Sequence, residues 1–443
     1  MVVVSNILLR PSPAIRRISA MAVVTLCLAT FAWGDVTPQS TDRLEAALDV
    51  ITNHYLVPLS REDVEEQALR ALLKELDPYA RYMDAREWSL YQESLSGGYG
   101  GVGVFISIDE QAGFPQVDYL LIGSPAGHAG VRRGDHLLKV GSRSLEGLTF
   151  EAVIALLRGA PGSVLELTVR HPGSTDAVTL SVERKRIPEP SVRGVRRDPT
   201  GKSHHLMDGH GGVGYIRILQ FTDTTVAELE TALAGLERQR FTGLILDLRD
   251  SVGGQLDAAI AAADLFLEGG EILTVVSRET RKVFAAGPGR LTAVPMVLLL
   301  NASTASSAEV LAGALVDNGR AIAMGQRTYG KGRIQKYFSL GEGQGGLVLS
   351  TGTFQRPSGK TIDRHVAPGE TGEAGIAPDP GLEMILEKPE NEALADEMFR
   401  LDGPFIMTAE EQVARVPDRL LAQAVAVVNA EIDKGAGAGS RKD

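Results

Sequence analysis

The sequence has almost no cysteine. The one present, Cys27, lies in an apolar N-terminal stretch, so a chain processed beyond it would have no disulfide, no thiolate nucleophile and no thiolate metal site. Aromatics make up only 5% of residues, which leaves Ala, Gly, Leu and Val to fill the core. Several chemistries lack their usual residue patterns: there is no G-x-S-x-G turn, no H-E-x-x-H, no glycine-rich phosphate loop and no aspartic dyad motif. The eight histidines are scattered, and the densest group, His204, His205 and His210, falls in a polar, glycine-rich loop that reads as solvated surface rather than a metal site. No metal and no cofactor is therefore expected. Positive charge is also short, with 45 basic against 56 acidic residues and a formal net charge of −11, which argues against nucleic acid as a partner.

What is present suits two or three domains in 443 residues. Arg10, Arg16 and Arg17 precede an apolar stretch from Ile18 to Trp33, and small residues follow at Ala32 and Gly34. This is the form of an export signal over residues 1–34, too short in its apolar part for the roughly 20 residues of a spanning helix. Its removal takes three arginines and the formal charge from −11 to −14. The expected location is periplasmic or otherwise extracytoplasmic; retention of the segment as a membrane anchor is the alternative.

Residues 35–96 read as a helical N-terminal segment, as in REDVEEQALRALLKELDPYARY, where apolar residues recur every three or four positions and Asp77-Pro78 ends a helix. Residues 97–187 change character. Short β-like runs (VGVFISI, QVDYLLI, HLLKVG, VLELTVR, AVTLSVER) alternate with Gly and Pro, and one amphipathic helix, TFEAVIALLRG, is capped by Thr149. With the glycine-rich opening Gly100-Gly101-Val102-Gly103-Val104, then Gly123-Ser124-Pro125-Ala126, Ala129-Gly130-Val131 and Gly134-Asp135, this stretch resembles a PDZ domain. Such domains take the end of a peptide as an added strand. The glycines would let backbone N–H groups at 100–104 approach its terminal carboxylate.

The prolines at 188 and 190 favour a stiff, extended crossing into the core, residues 188–390. There GLILDL and VPMVLLLN are continuous apolar runs expected of buried parallel strands, each followed by a turn and a helix. Alternating strands and helices predict an α/β core with functional loops at the carboxyl ends of the strands. Residues 391–443 read as a helical C-terminal segment that dissolves into a disordered GAGAGSRKD tail.

The chemistry that remains is a serine opening a helix, Ser306, and a lysine 25 residues on, Lys331. A serine hydroxyl needs a base within hydrogen-bond reach. Lysine is that base only when neutral, and at its ordinary pKa near 10.4 only about one in 2,500 is neutral at pH 7. Lowering that pKa by about three units takes about 4 kcal/mol, which burial in an apolar pocket supplies. Gln335, four residues further, can orient the amine without adding charge. At the helix start the N–H of Ser307 faces developing negative charge, and the Gly253-Gly254 turn offers a second donor.

The succession DLRDSVGGQLDAAIAAADLF, NASTASSAEVLAGALVDNGRAIAMGQRTYGKGRIQ, TFQRPSGKTID and GIAPD, after a PDZ-like domain and a helical segment ending LDPYARYMD, resembles the carboxyl-terminal processing (tail-specific) protease family. The resemblance implies a crotonase-like protease core with an inserted PDZ domain that recognises substrate C-termini and helps gate the site. It also implies catalytic Ser306, Lys331 and Gln335. The family's S-A-S-A-S-E reads Thr304-Ala305-Ser306-Ser307-Ala308-Glu309 here, so Ser303 and Ser307 are rival nucleophiles and the 25-residue spacing favours Ser306. Its Asn-Pro-Gly-Gly reads Ser251-Val252-Gly253-Gly254. The expected protein is an exported serine endopeptidase that selects proteins with apolar C-termini, as a homo-oligomer, with an adaptor protein as a further partner. The alternative is a catalytically silent peptide-binding scaffold.

Overall fold

The computed structural model describes residues 43–109, 111–198, 202–207, 209–365, 374–402 and 416–439. The export segment read over residues 1–34 lies outside them. The chain divides into a unit up to Leu72 and a unit from Leu73. The first holds α1 (Arg43–His54) and most of α2 (Arg61–Leu76), with Arg61 paired to Asp49 and Glu65.

The second unit opens with a departure from the all-helical reading: β1 (Arg81–Met83) precedes α3 (Ala85–Leu95). Asp77 accepts the N–H groups of Tyr79 and Ala80 at 2.7 and 2.8 Å, which closes a turn after Pro78 and frees the next residues to pair as a strand. A PDZ-like body follows: β2 (Gly98–Gly101), β3 (Val104–Asp109), β4 (Phe114–Leu120), α4 (Pro125–Ala129), β5 (His136–Val140), β6 (Arg143–Ser144), α5 (Phe150–Leu157), β7 (Val164–Arg170), β8 (Ala177–Glu183) and β9 (Lys185–Pro188). Its sheet runs β3-β4-β5-β7-β8, with β6 beside β5, while β2 pairs separately with β9. Thr149 caps α5 as expected, its side chain accepting from Ala152 N–H.

The core then runs β10 (Val192–Arg193), β11 (Arg196–Arg197), β12 (Ser203–His204), β13 (Val213–Ile218), α6 (Thr225–Arg238), β14 (Gly243–Asp247), α7 (Leu256–Asp264), β15 (Glu271–Ser277), β16 (Arg281–Ala285), β17 (Met296–Leu300), α8 (Ser307–Asp317), β18 (Ile322–Gly325), β19 (Arg333–Ser339), β20 (Gly346–Gln355), α9 (Lys388–Asp402) and α10 (Arg419–Gly439). One sheet has the order β10-β13-β14-β17-β18, parallel from β13 onward. Its strands are apolar on both faces because both are covered. Ile216, Leu244, Leu246 and Leu298 face the helices α6 to α8, whereas the alternate residues Tyr215, Ile245, Val297 and Leu299 pack with Leu420, Ala424 and Val428 of α10. A second, antiparallel sheet has the order β1-β20-β15-β16, with β19 also on β20.

The expected disordered tail is partly corrected, since α10 continues through the GAGAG stretch to Gly439. Once the packed face has nucleated the helix, adding further residues is cheap.

A buried ionic cluster fastens α10 to the sheet. Asp247, at the end of β14, is fully buried, and Arg249 beside it is 2% exposed. The guanidinium of Arg249 donates to both oxygens of Asp247 and, at 3.1 and 2.7 Å, to the two oxygens of Asp418 just before α10. Tyr215 donates its hydroxyl to Asp247 at 2.8 Å. Burial alone would push the Asp247 carboxyl up, but the Arg249 and Arg217 charges hold it below the ordinary range. Its stabilising contribution is therefore present above the unfolded value of about pH 4 and is lost as pH falls through the folded value. Arg249→Met is expected to cost about 3–5 kcal/mol in urea denaturation at pH 7. The deficit relative to wild type should shrink on acidification, as the stranded Asp247 takes up a proton.

Candidate active site

β14 and β17 are parallel neighbours in register Asp247 to Leu299, so the chain leaves both at the same edge of the sheet. Two turns meet there and are bonded to each other. Asn301 Oδ1 accepts the N–H groups of Asp250, Ser303 and Thr304, and its amide donates to Asp250 at 2.8 Å. Thr304 donates its hydroxyl to the Leu248 carbonyl at 2.8 Å, and Ala305 N–H donates to Ser251 O at 2.9 Å.

So braced, the chain enters α8 through Ser306, whose φ of 59° and ψ of −122° are values that non-glycine residues rarely adopt. Such a conformation costs on the order of 1–3 kcal/mol and persists only where its surroundings impose it. Gly253 lies directly against this turn. At its φ of +89°, a Cβ would come within 2.8 Å of Ala305 O, Ser306 Cβ and Ser307 N, so only glycine fits. Ser307 donates its hydroxyl to Gly254 O at 2.9 Å. Among the described residues no acceptor takes the N–H of Ser307 or of Gly253. Val252, the departure noted in the sequence, is 63% exposed and turns away from these contacts.

Glu309, in the first turn of α8 and fully buried, joins this turn to the lysine loop. Its carboxylate accepts from Ser306 N–H at 2.8 Å, Thr328 Oγ1 at 2.5 Å, Gly330 N–H at 2.7 Å and Lys331 N–H at 2.8 Å. Burial pushes this carboxyl up, and the four donors pull it back.

Beyond that anchor the half-buried side chain of Lys331 donates from Nζ to Gln335 Oε1 at 2.8 Å. Gln335 Nε2 in turn donates to Tyr79 O at 2.7 Å. Burial holds the Lys331 amine below the ordinary lysine range, helped by the Arg81 charge and opposed by Glu309 and Asp77. No hydrogen bond joins Lys331 Nζ to Ser306 Oγ; the amine is turned to Gln335. Ser306 and Gln335 border the same cavity of about 90 Å³, whose remaining wall is mixed: Leu256, Val310, Ile334 and Phe354 are apolar, and Gln255 and Arg333 are polar.

The glycine-rich opening of the PDZ-like body is divided in two. Gly100 and Gly101 pair with Arg186 and Lys185 as part of β2, so the free turn is Val102-Gly103 before β3. It borders a groove of about 230 Å³ between β3 and α5, lined by Val104, Ile106, Phe150, Ile154 and Leu157. The histidine reading is corrected in part. His210 is exposed, but His204 and His205 are half-buried: His204 lies in β12, and His205 Nδ1 meets Tyr215 O at 3.1 Å.

Two contributors escape a reading of single motifs. Glu309 had a local signal, the Ser-x-x-Glu spacing of a helix-capping pair. Tyr79 had none, lying 256 positions before its partner Gln335.

Residues 212–380 match peptidase family S41, and residues 116–171 match a PDZ domain. The carboxy-terminal-processing protease of Bartonella bacilliformis is 31% identical over 347 residues, which is 77% of this chain and 73% of the relative. The carboxyl-terminal-processing protease of Picosynechococcus is 33% identical over 334 residues, 75% of each. A solved photosystem II D1 C-terminal processing protease superposes at a TM-score of 0.43, with 26% identity, over 77% of this chain and 87% of its own. The chain belongs to peptidase family S41, the carboxyl-terminal processing proteases, and is a hydrolase of peptide bonds.

The strain at residue 306 is separable from its hydroxyl. Ser306→Gly and Ser306→Ala both remove the hydroxyl, but only glycine accepts the positive φ. The glycine variant is expected to be more stable by about 1–2 kcal/mol in chemical denaturation; equal stability would mean the turn relaxes.

Proposed function

We propose that this peptidase hydrolyses proteins with Ser306 as nucleophile and Lys331 as general base, after export from the cytoplasm, and that its PDZ groove selects substrates by apolar C-terminal tails. One observation carries the reading. A strained serine at a helix start and the glutamine that holds a desolvated lysine border one small cavity, and the same buried carboxylate anchors the backbone of both the serine and the lysine.

Neutral Lys331 takes the Ser306 hydroxyl proton as Oγ attacks the peptide carbonyl, and returns it to the leaving amine. The N–H groups of Ser307 and Gly253 receive the oxyanion; both are preorganised by the bonds that fix their turns, so little reorganisation is needed during reaction. Water then repeats the attack on the acyl-enzyme with the same base. The apolar part of the cavity wall, Leu256, Val310, Ile334 and Phe354, suits a small apolar side chain beside the scissile bond. In the PDZ groove, β3 offers an edge for an added strand, and Phe150 and Ile154 offer apolar contacts for the tail.

A second reading has one observation in its favour. Because Lys331 Nζ rests on Gln335 and not on Ser306, the chain as it stands also fits a silent peptide-binding scaffold, or a protease that requires an adaptor protein to bring the amine across.

The test is hydrolysis of an unfolded protein substrate by wild type, Ser306→Ala and Lys331→Ala. Both variants are expected to lose at least about 10³-fold in rate, and retained activity in either removes the assignment. Since Lys331 acts only when neutral, kcat/KM should rise with pH to a midpoint below the ordinary lysine value of about 10.4.

A further inference from the structure

The segment before α3 contributes to the site although it lies far from it in sequence. Asp77 holds the turn at Tyr79 and Ala80 from one side, and β1 pins the chain from the other through pairing of Arg81 with Val348 and Met83 with Gly346. Between these two anchors Tyr79 is carried against Lys331 and Gln335. Its carbonyl oxygen accepts Gln335 Nε2 at 2.7 Å, and its ring centroid lies 5.0 Å from Lys331 Nζ.

We propose that Tyr79 is a positioning residue for this reaction: its carbonyl oxygen sets the orientation of the Gln335 amide, and its ring walls the Lys331 amine off from water. The inference rests on the reading of Lys331 as the base.

The first half follows from hydrogen-bond polarity. A primary amide presents an accepting oxygen on one side and two donors on the other, and a main-chain carbonyl can only accept. With Nε2 committed to Tyr79 O, Gln335 must turn its oxygen to Lys331, where it stands 2.8 Å from Nζ. The opposite orientation would set two donors against the lysine amine and an oxygen against an oxygen.

The second half follows from burial. The ring acts on the amine in two ways. It excludes water, which disfavours the ammonium, and its π face attracts a cation, which favours it. For a lysine the first has the larger reach, in line with the direction in which Lys331 is displaced. The charged groups facing the amine are Arg81 from β1, Asp77 from the preceding turn and Glu309 from α8. The ring itself stands edge-on to His365, with centroids 5.9 Å apart, and beside Tyr329, Asp363 and Arg364. Its phenol is pushed up to about 12, first by burial, and so stays neutral over the working range of a lysine base.

The test is the titration of Lys331 in the full chain with 13C-labelled lysine, assigned from the spectrum of Lys331→Arg, alongside kcat/KM profiles. Tyr79→Ala uncovers the amine and should raise the Lys331 midpoint by about one pH unit, and the rising limb of kcat/KM should move with it. Tyr79→Phe keeps the ring and the carbonyl and should leave the Lys331 midpoint in place. Should the alanine variant not fold, Tyr79→Val is the comparison, with a midpoint above that of Tyr79→Phe. An unchanged or lowered midpoint in Tyr79→Ala or Tyr79→Val, or a rise in Tyr79→Phe as large as in the smaller variants, overturns the proposal. The titration needs no turnover. Failure of the base assignment would appear separately, as hydrolysis that survives in Lys331→Ala.

Discussion

A single buried carboxylate holds the two halves of this site at fixed distance. Glu309 takes the N–H of Ser306 on one side and those of Gly330 and Lys331 on the other, with the Thr328 hydroxyl as a fourth donor. A carboxylate has the acceptor capacity for all four, and each bond to a charged acceptor is stronger than a neutral one. Without it the Ser306 turn would lack the bond that helps impose its positive φ, and the lysine loop would have no fixed relation to the helix start. Fold and chemistry meet at this residue: it belongs to the first turn of α8, yet what it positions lies on the loop before β19.

The rest of the architecture supplies the setting for that bond. Parallel pairing of β14 and β17 delivers the Gly253 turn and the Ser306 turn to one edge, where Asn301, Thr304 and Ala305 cross-link them. The antiparallel sheet brings the lysine side: β19 carries Gln335, and β1, on the other edge of β20, brings up the segment with Tyr79. The Asp247–Arg249–Asp418 cluster fastens α10 beneath the strand that ends in the Gly253 turn. Buried ion pairs add little net stability over an apolar substitute but tolerate no missing partner. Cover and strand are therefore linked in one geometry.

How far the sequence revealed this depended on whether the physics was local. GLILDL and VPMVLLLN announced buried strands because both faces are covered, and the turn and helix after each followed from composition. Ser306 and Lys331 were legible as a candidate pair through their spacing and through what a serine needs from a base. Their mutual orientation was not, because it depends on a rotamer, and the amine rests on Gln335. Arg81–Met83 read as helix because three residues carry too little period to separate a strand from a helical turn, and their pairing with β20 is long-range. The glycines at 100 and 101 were read as meeting the carboxylate of a bound tail, but both pair with β9, and Gly100 lies against the Gly159 carbonyl.

As a member of peptidase family S41, the chain combines a small cavity beside a strained serine with a separate groove in the PDZ-like body, so the proposed tail recognition and bond cleavage would fall on different surfaces. The proposed Ser306–Lys331 chemistry stands or falls on one distance during reaction. A crystal structure of the protein with a peptidyl boronate, which mimics the tetrahedral intermediate, measures it. The expected result is boron bonded to Ser306 Oγ, a boronate oxygen about 2.7–3.1 Å from the Ser307 nitrogen, and Lys331 Nζ about 3 Å from Ser306 Oγ. Boron on Ser303 or Ser307, or an adduct on Ser306 with Lys331 still turned to Gln335 and out of reach of Oγ, would contradict it.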